Sequence, residues 1–151
     1  MQLQEAIARQ LALTSGSTYA ALESLVTGTG TRVYWAIAGK NQAPPFVWLR
    51  KAARRPLTKN MDQAYREPAE TTIEVFCVAK TQASAATIAD AVTTDMLAIA
   101  GLIPNESPTP SGQVYAQKVY PLSEEDVVSE DALELGLFGE MRSFAVYTRT
   151  A

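Results

Sequence analysis

The sequence predicts an α+β fold: a mainly antiparallel sheet of four to five strands with two to three helices packed on one face. Three observations predict it. Helical periodicity occurs near the start and in the middle of the chain. Several other segments alternate apolar and polar residues or are rich in β-branched residues, as strands are. The early strands follow one another through turns. With 151 residues, 47% of them apolar, the chain matches one globular domain, which we expect over residues 1–151.

Two short helices are expected at the N-terminus. Residues 2–13 carry leucine and isoleucine at four-residue intervals, as on the buried side of a helix. A Thr-Ser-Gly-Ser run interrupts this pattern. Ser17 or Thr18 then offers a hydroxyl that can cap a second helix over residues 19–26.

β-branched and aromatic residues predict the first two strands, over residues 31–38 and 46–52. A turn with a Pro-Pro pair joins them, so we expect them to pair antiparallel. The next stretch, residues 53–68, is polar and has no periodicity. It is longer than usual connections, so we expect a long loop there.

The clearest strand and helix signals follow this loop. In residues 70–80, a small and apolar set alternates with a second set that carries the charges, so the first set is expected to face the helices. Thr81 is placed to cap a helix that runs to about residue 100. Its apolar positions recur at steps of three and four and form one stripe: Ala85, Ile88, Ala89, Val92, Met96 and Ile99.

Two further strands are expected in the C-terminal third. Residues 113–120 predict a strand that Pro121 stops, and residues 136–149 predict the final strand. Between them, residues 121–136 are rich in carboxylates and are expected to form a second long loop.

The residue inventory argues against an enzyme. The chain has no histidine, which removes the commonest general base and the commonest metal ligand. It contains no glycine-rich phosphate loop, nucleophile elbow or acidic calcium loop. The lone Cys77 falls on the inner side of the predicted central strand, as a small apolar residue would. We therefore expect no catalytic residue, no cofactor and no metal.

No segment predicts export or membrane insertion. The first ten residues carry charges and lack an apolar core, unlike a signal peptide. No stretch approaches the roughly 18 apolar residues that cross a bilayer. We expect a soluble, intracellular protein, and its net charge of −3 is too small to attract nucleic acid in bulk.

Two blocks of opposite charge form the candidate interface. The basic block consists of Arg50, Lys51, Arg54, Arg55 and Lys59. The acidic block consists of Glu124, Glu125, Asp126, Glu130, Asp131 and Glu134. Either block alone is most often a solvated surface. Together they predict a contact between copies of the chain, in which opposite charges set register and partner choice.

DNA binding by the basic block is the alternative. Aromatic residues interleaved with the cations would favour a single strand, but the block contains none. A duplex groove reader would place its cations on a helix, and Pro56 disfavours one. Protein contact is therefore the preferred hypothesis.

Four segments, taken in order, resemble the tail terminator or tail completion family of long-tailed phages, which takes part in head–tail joining. They are a double helix whose glycine turn leads into Arg32-Val33-Tyr34, a proline-then-aromatic strand at 45–48, a strand-to-helix unit at 73–92 and a final strand at 142–149. The resemblance covers nearly the whole chain. It departs from the shortest members in the longer stretches at 53–68 and 103–112.

The resemblance implies a structural virion protein without an active site. Such a protein forms a ring, typically a hexamer, on the finished tail tube, stops tube growth and joins the tail to the head. Its partners would be copies of itself, the tail tube protein and the head connector or stopper protein, and DNA would pass through the lumen without specific binding. It would be assembled in the host cytoplasm and reside in the tail–neck region of the virion.

Two other functions stay open. One is another neck or tail component of similar fold, such as a head–tail adaptor or a tube subunit. The other, from a different class, is a small DNA- or ligand-binding module. A tube subunit is expected to polymerise into long tubes alone, and a binding module is expected to be a monomer with a defined pocket or a salt-dependent affinity for DNA.

Overall fold

A computed structural model of the protein describes residues 3–25, 32–35, 44–56, 69–99, 101–102, 114–127 and 136–150. These residues form three helices and a six-stranded mixed sheet, which confirms the α+β fold class. Along the chain, the elements are α1 (Leu3–Leu11), α2 (Ser17–Leu25), β1 (Val33–Tyr34), β2 (Phe46–Pro56), β3 (Ala69–Ala79), α3 (Gln82–Ala98), β4 (Gly101–Leu102), β5 (Val114–Val127) and β6 (Phe138–Thr150).

The strands lie in the order β1-β2-β3-β6-β5-β4, and β2, β3, β5 and β6 are the long ones. All neighbours pair antiparallel except β1 and β2, which run parallel with Val33 opposite Val47 and Tyr34 opposite Trp48. The antiparallel pairing expected for the first two strands is therefore wrong. Residues 35–45 separate these strands, which is a longer connection than the turn that the prediction assumed.

The helices cover one face of the sheet. Residues of β3 alternate between buried and half-buried, and the buried set that includes Ile73, Val75 and Cys77 faces the helices, as predicted. Helix α3 packs against β3 and β6. Every residue of its predicted stripe is buried: Ala85, Ile88, Ala89, Val92, Met96 and Ile99. Ile7 and Leu11 of α1 complete the same core.

The N-termini of α2 and α3 are capped in different ways. Thr81 caps α3 as predicted, because its Oγ1 accepts a hydrogen bond from the backbone N–H of Ser84 at 3.1 Å. At α2 the predicted hydroxyl cap is wrong. The backbone N–H groups of Ser17 and Thr18 donate to the two carboxylate oxygens of Asp95, at 3.0 and 2.7 Å. A carboxylate on α3 therefore caps α2 and ties the two helices together.

Both predicted loops prove to be partly strand. β2 continues through Pro56, with residues 53–56 opposite residues 69–72 of β3, while 57–68 lie outside the described residues. β5 passes Pro121 and reaches Val127, paired with β6, while 128–135 lie outside the described residues. Proline is tolerated near a sheet edge, where its missing N–H need not break the ladder. The loop predictions are therefore wrong for residues 53–56 and 121–127, which are strand.

Candidate assembly surfaces

The basic block is a sheet edge. Arg50, Lys51, Arg54 and Arg55 all belong to β2, and Lys59 lies outside the described residues. β1 covers the outer side of β2 only at Val47 and Trp48. Among the described residues, no strand pairs with the outer side of residues 49–56. The basic strand therefore offers free backbone groups as well as positive charge.

Two of these arginines already have partners within the chain. Arg50 donates to Glu74 from both Nε and Nη2, and Arg55 donates to Glu70 at 2.7 Å. The arginine side chains are 53% and 72% exposed, so solvent screens both pairs and they add little stability. Lys51 is also exposed, and within the described part of the chain it has no ion-pair partner.

The acidic block lies on the opposite edge of the same sheet. Glu124, Glu125 and Asp126 belong to β5, and Glu130, Asp131 and Glu134 lie outside the described residues. β4 pairs with β5 only at Tyr115 and Ala116, so no described strand covers the outer side of residues 118–127. The three acidic side chains on β5 are exposed. The structure therefore does not bring the two charge blocks together within one chain.

A stacked aromatic pair lies on the face of the sheet that the helices leave open. Trp48 of β2 stacks on Phe76 of β3, with ring centroids 5.0 Å apart. The guanidinium of Arg50 lies 5.4 Å from the centroid of the same Phe76 ring, within cation–π range. These cross-strand contacts join β2 to β3 on the open face.

A row of side chains on the open face spans all four long strands. Arg55 pairs with Glu70, and Glu70 lies opposite Tyr147 of β6. The hydrogen bond to Glu70 is the main reason why the pKa of Tyr147 is raised above its ordinary value. Tyr147 in turn packs edge-to-face against Tyr120 of β5, with centroids 5.6 Å apart. The row links the basic edge to the far edge through pairwise contacts.

An ion cluster with a buried centre and exposed outer carboxylates, which sequence analysis missed, lies between α3 and β6. Arg142 and Glu140 have side chains only 8% and 9% exposed, and Nη2 of Arg142 lies 2.9 Å from Oε1 of Glu140. The same guanidinium donates to Asp90 at 2.6 Å and to Thr93 at 2.8 Å, both on α3. A carboxylate oxygen of Glu124 on β5 approaches its Nε to 4.0 Å. The cluster thus joins helix, inner strand and edge strand.

The electrostatics of this cluster favour a further cation. Burial lowers the pKa of Arg142, but hydrogen bonds to Asp90 and Glu140 outweigh it and the net pKa is raised. Three carboxylates surround this one guanidinium, so the cluster has excess negative charge. Beside it opens a cleft of about 280 Å³, lined in part by Leu122, Glu124 and Arg142. A positively charged group from outside the chain can therefore be accommodated there.

Three further features concern the described residues: the Cys77 thiol, possible metal ligands and the length of the helices. Cys77 is buried, and burial is the main reason why its pKa is raised, which makes the thiol a poor nucleophile. Within the described ranges, no cluster of three or more acidic or cysteine side chains is arranged to hold a metal ion. None of the described helices has the length and apolar character that a bilayer crossing requires.

Neither protein-family models nor curated protein sequences match this chain. Among solved structures, the chain is similar to one from the virion of a native gene transfer agent particle, with a TM-score of 0.67 and 20% sequence identity. The similarity covers 97% of this chain and 94% of that chain, so the two share a fold over nearly their full lengths.

Proposed function

We propose that this chain is a structural, non-enzymatic component of a phage-type virion. The observation that carries the proposal is the similarity of fold to a chain of the gene transfer agent virion, which extends over 97% of this chain. The absence of histidine from the sequence and the buried state of Cys77 fit a protein without chemistry of its own. The resemblance of its segments to phage tail terminators points to the same class.

In this proposal the chain acts at the end of the tail. Copies form a ring, with six subunits, on the tail tube, stop its growth and offer a surface to the head connector. The ring resides in the tail–neck region of a virion assembled in the host cytoplasm. Support comes from the basic and acidic strands on opposite edges of the sheet, because a contact between two different surfaces of identical subunits can close into a ring.

The arginine pairs weigh against a DNA-binding module. Arg50 and Arg55 already meet Glu74 and Glu70, and a phosphate would have to compete with those carboxylates. Affinity for DNA rises with each phosphate that a protein neutralises, so internal pairing reduces it. In the proposed ring, DNA passes through the lumen without specific binding.

The test uses tail tubes purified from particles assembled without this chain. Purified chain is added in excess, and electron microscopy is expected to show a ring at one end of each tube and no further elongation when tube protein is supplied. A tube subunit would instead form long tubes by itself, and a DNA- or ligand-binding module would leave the tubes bare. Bare tube ends at saturating concentrations of the chain would refute the proposal.

A further inference from the structure

The two outer edges of the sheet have the properties of strands that pair with another chain. An edge strand presents backbone N–H and C=O groups without partners, which proteins either protect or use for association. Residues 49–56 of β2 and 118–127 of β5 present such groups within the described part of the chain. The β2 edge is basic and the β5 edge is acidic. Contact between two β2 edges or two β5 edges is therefore repulsive, and contact between a β2 edge and a β5 edge is attractive.

The strand directions allow these edges to meet. β2, β3, β6 and β5 pair antiparallel in succession, so β2 and β5 run in opposite directions. A second copy placed beside the first by rotation about an axis to which the strands are tilted therefore brings its β2 antiparallel to the first copy's β5. Repetition of this contact is head-to-tail, and a head-to-tail contact without a translation along the axis can close into the ring proposed above.

β1 restricts the register of that pairing. Leu49 pairs with Val75 of β3, Val75 pairs with Arg142 of β6, and Arg142 pairs with Glu124 of β5. Leu49 and Glu124 therefore lie at the same height along the strands. If the copies joined at that level, the end of β5 would meet Val47 and Trp48, where β1 already pairs. A shift by one residue would turn the side chains to the wrong faces. A shift by two residues, about 7 Å, keeps the faces and moves β5 past Val47, so that only its last residue, Val127, lies at the level of Trp48.

We infer that two copies of this chain join their sheets edge to edge, β5 of one against β2 of the next, with Lys51 opposite Glu124 and Arg50 opposite Glu125. Lys51 and Glu124 lie on the helix side of the joined sheet, and Arg50 and Glu125 lie on its open face. The inference rests on the proposed ring for the identity of the partner as a second copy. A stagger between subunits is also what closure of a sheet into a barrel requires.

The ion cluster around Arg142 provides the binding site for Lys51. Glu124 lines the cleft of about 280 Å³ beside Arg142, and together with Asp90 and Glu140 it gives three carboxylates around one guanidinium. Lys51 is exposed and has no ion-pair partner within the described part of its own chain. In the inferred register, the ammonium group of one copy supplies the cation that the neighbouring cluster lacks.

Exposed apolar side chains accompany the charges at both edges. On β5, Tyr120 is 44% and Leu122 is 53% exposed, and Leu122 also lines the cleft. At the other edge, Trp35 directly follows β1 and is 40% exposed. Aromatic and aliphatic contact beside complementary charge is typical of a subunit interface.

The first test measures self-association of the purified chain by sedimentation over a range of protein concentrations. We expect Lys51→Glu to weaken association by about tenfold or more, and the combination with Glu124→Lys to restore it at least in part. Lys80→Glu is the matched control, because it makes the same charge change at an exposed lysine that follows the central strand β3. Thermal unfolding checks that each variant folds.

Two results of this test would overturn the inference. One is a wild-type chain that stays monomeric at every soluble concentration. The other is a Lys51→Glu variant that associates as well as Lys80→Glu. Association is also expected to weaken as salt is raised, because the paired charges lie at solvent-exposed edges.

The second test fixes the register by cross-linking. The closest directly opposite residues on antiparallel strands reach the Cβ separation that a disulfide needs. Lys51→Cys combined with Glu124→Cys is expected to give a ladder of disulfide-linked oligomers on oxidation. Lys51→Cys combined with Glu125→Cys has side chains on opposite faces and is expected to stay unlinked. The native Cys77 is buried and does not interfere.

The two proposals fail in different ways. Rings that form without a link between positions 51 and 124 would overturn the edge pairing and leave the role at the tail end standing. A chain that links efficiently but ignores the ends of tail tubes would overturn the tail role and leave the edge pairing standing.

Discussion

Arg142 and Glu140 lie two residues apart on the helix side of β6 and form a buried ion pair, with Nη2 of Arg142 2.9 Å from Oε1 of Glu140. Burying two charges costs solvation energy that the pair recovers only when further hydrogen bonds satisfy them. Asp90 and Thr93 of α3 provide those bonds to Arg142. The ion pair therefore also fixes α3 against the sheet.

Removal of Arg142 alone is expected to be strongly destabilising. Arg142→Met leaves the Glu140 carboxylate buried without its counterion, so we expect a loss of about 3 kcal/mol in the free energy of unfolding. Glu140→Gln keeps a hydrogen-bonding group in place and leaves Asp90 on the guanidinium, so the expected loss is only about 1 kcal/mol. Urea unfolding of both single variants and the double variant measures their coupling. Strictly additive losses would contradict an energetic link between the two residues.

β3 and α3 were predictable because local periodicity and tertiary burial agree there. The alternation of residues 70–80 matches the buried and half-buried sides of β3, and the stripe on α3 is buried as expected. The ends of β2 and β5 were not predictable from local sequence. Prolines and clustered charges predict loops, but pairing with the long neighbours β3 and β6 extends both strands past those signals.

The sequence predicted which charged residues form the candidate site, but not where they lie in the sheet. The charge blocks were identified, but their position on opposite edges of one sheet follows from the strand order, which local patterns do not contain. The cluster around Arg142 was missed because its partner Asp90 is 52 residues away in sequence. The one local signal was a charged pair, Glu140 and Arg142, at alternating positions that continue into the apolar Phe144 and Val146.

The cap that Asp95 provides to α2 is expected to contribute about 1 kcal/mol to stability. Asp95→Ala leaves the backbone N–H groups of Ser17 and Thr18 without their acceptor, and Thr81→Ala at the start of α3 gives a reference value for a cap within one element. A Cβ added at Gly16 would lie 3.1 Å from Oδ2 of Asp95, so Gly16→Ala is also expected to destabilise. Urea unfolding provides the comparison. An Asp95→Ala variant as stable as wild type would show that solvent replaces the cap.

The phenol of Tyr147 is expected to ionise at higher pH than an ordinary tyrosine, whose pKa is about 10. The hydrogen bond to Glu70 is the main cause of this raised pKa, so Glu70→Gln is expected to lower it toward the ordinary value. Because the folded pKa is raised, the contribution to stability is fully present below about pH 10 and is lost as pH rises beyond it. Ultraviolet titration of the Glu70→Gln variant, with Tyr147→Phe to assign the signal, makes the measurement. A Tyr147 titration that Glu70→Gln leaves unchanged would exclude this hydrogen bond as the cause.

The thiol of Cys77, buried on β3, is expected to make the chain less stable at alkaline pH. Burial raises its pKa in the folded chain, whereas in the unfolded chain it ionises near its ordinary value of about 8.5. The contribution of the neutral thiol is therefore fully present below about pH 8.5. Above it, this contribution falls by up to about 1.4 kcal/mol per pH unit.

Cys77→Ala removes this titration, so its free energy of unfolding is expected to fall less steeply than that of wild type between about pH 8 and pH 10. Urea unfolding at several pH values gives the two slopes, and the difference between them is independent of the packing that the substitution removes. The native chain is also expected to react with a thiol reagent only as fast as it opens, because the thiol is fully buried. Parallel slopes together with labelling as fast as in the unfolded chain would mean that Cys77 is accessible and ionises in the folded protein.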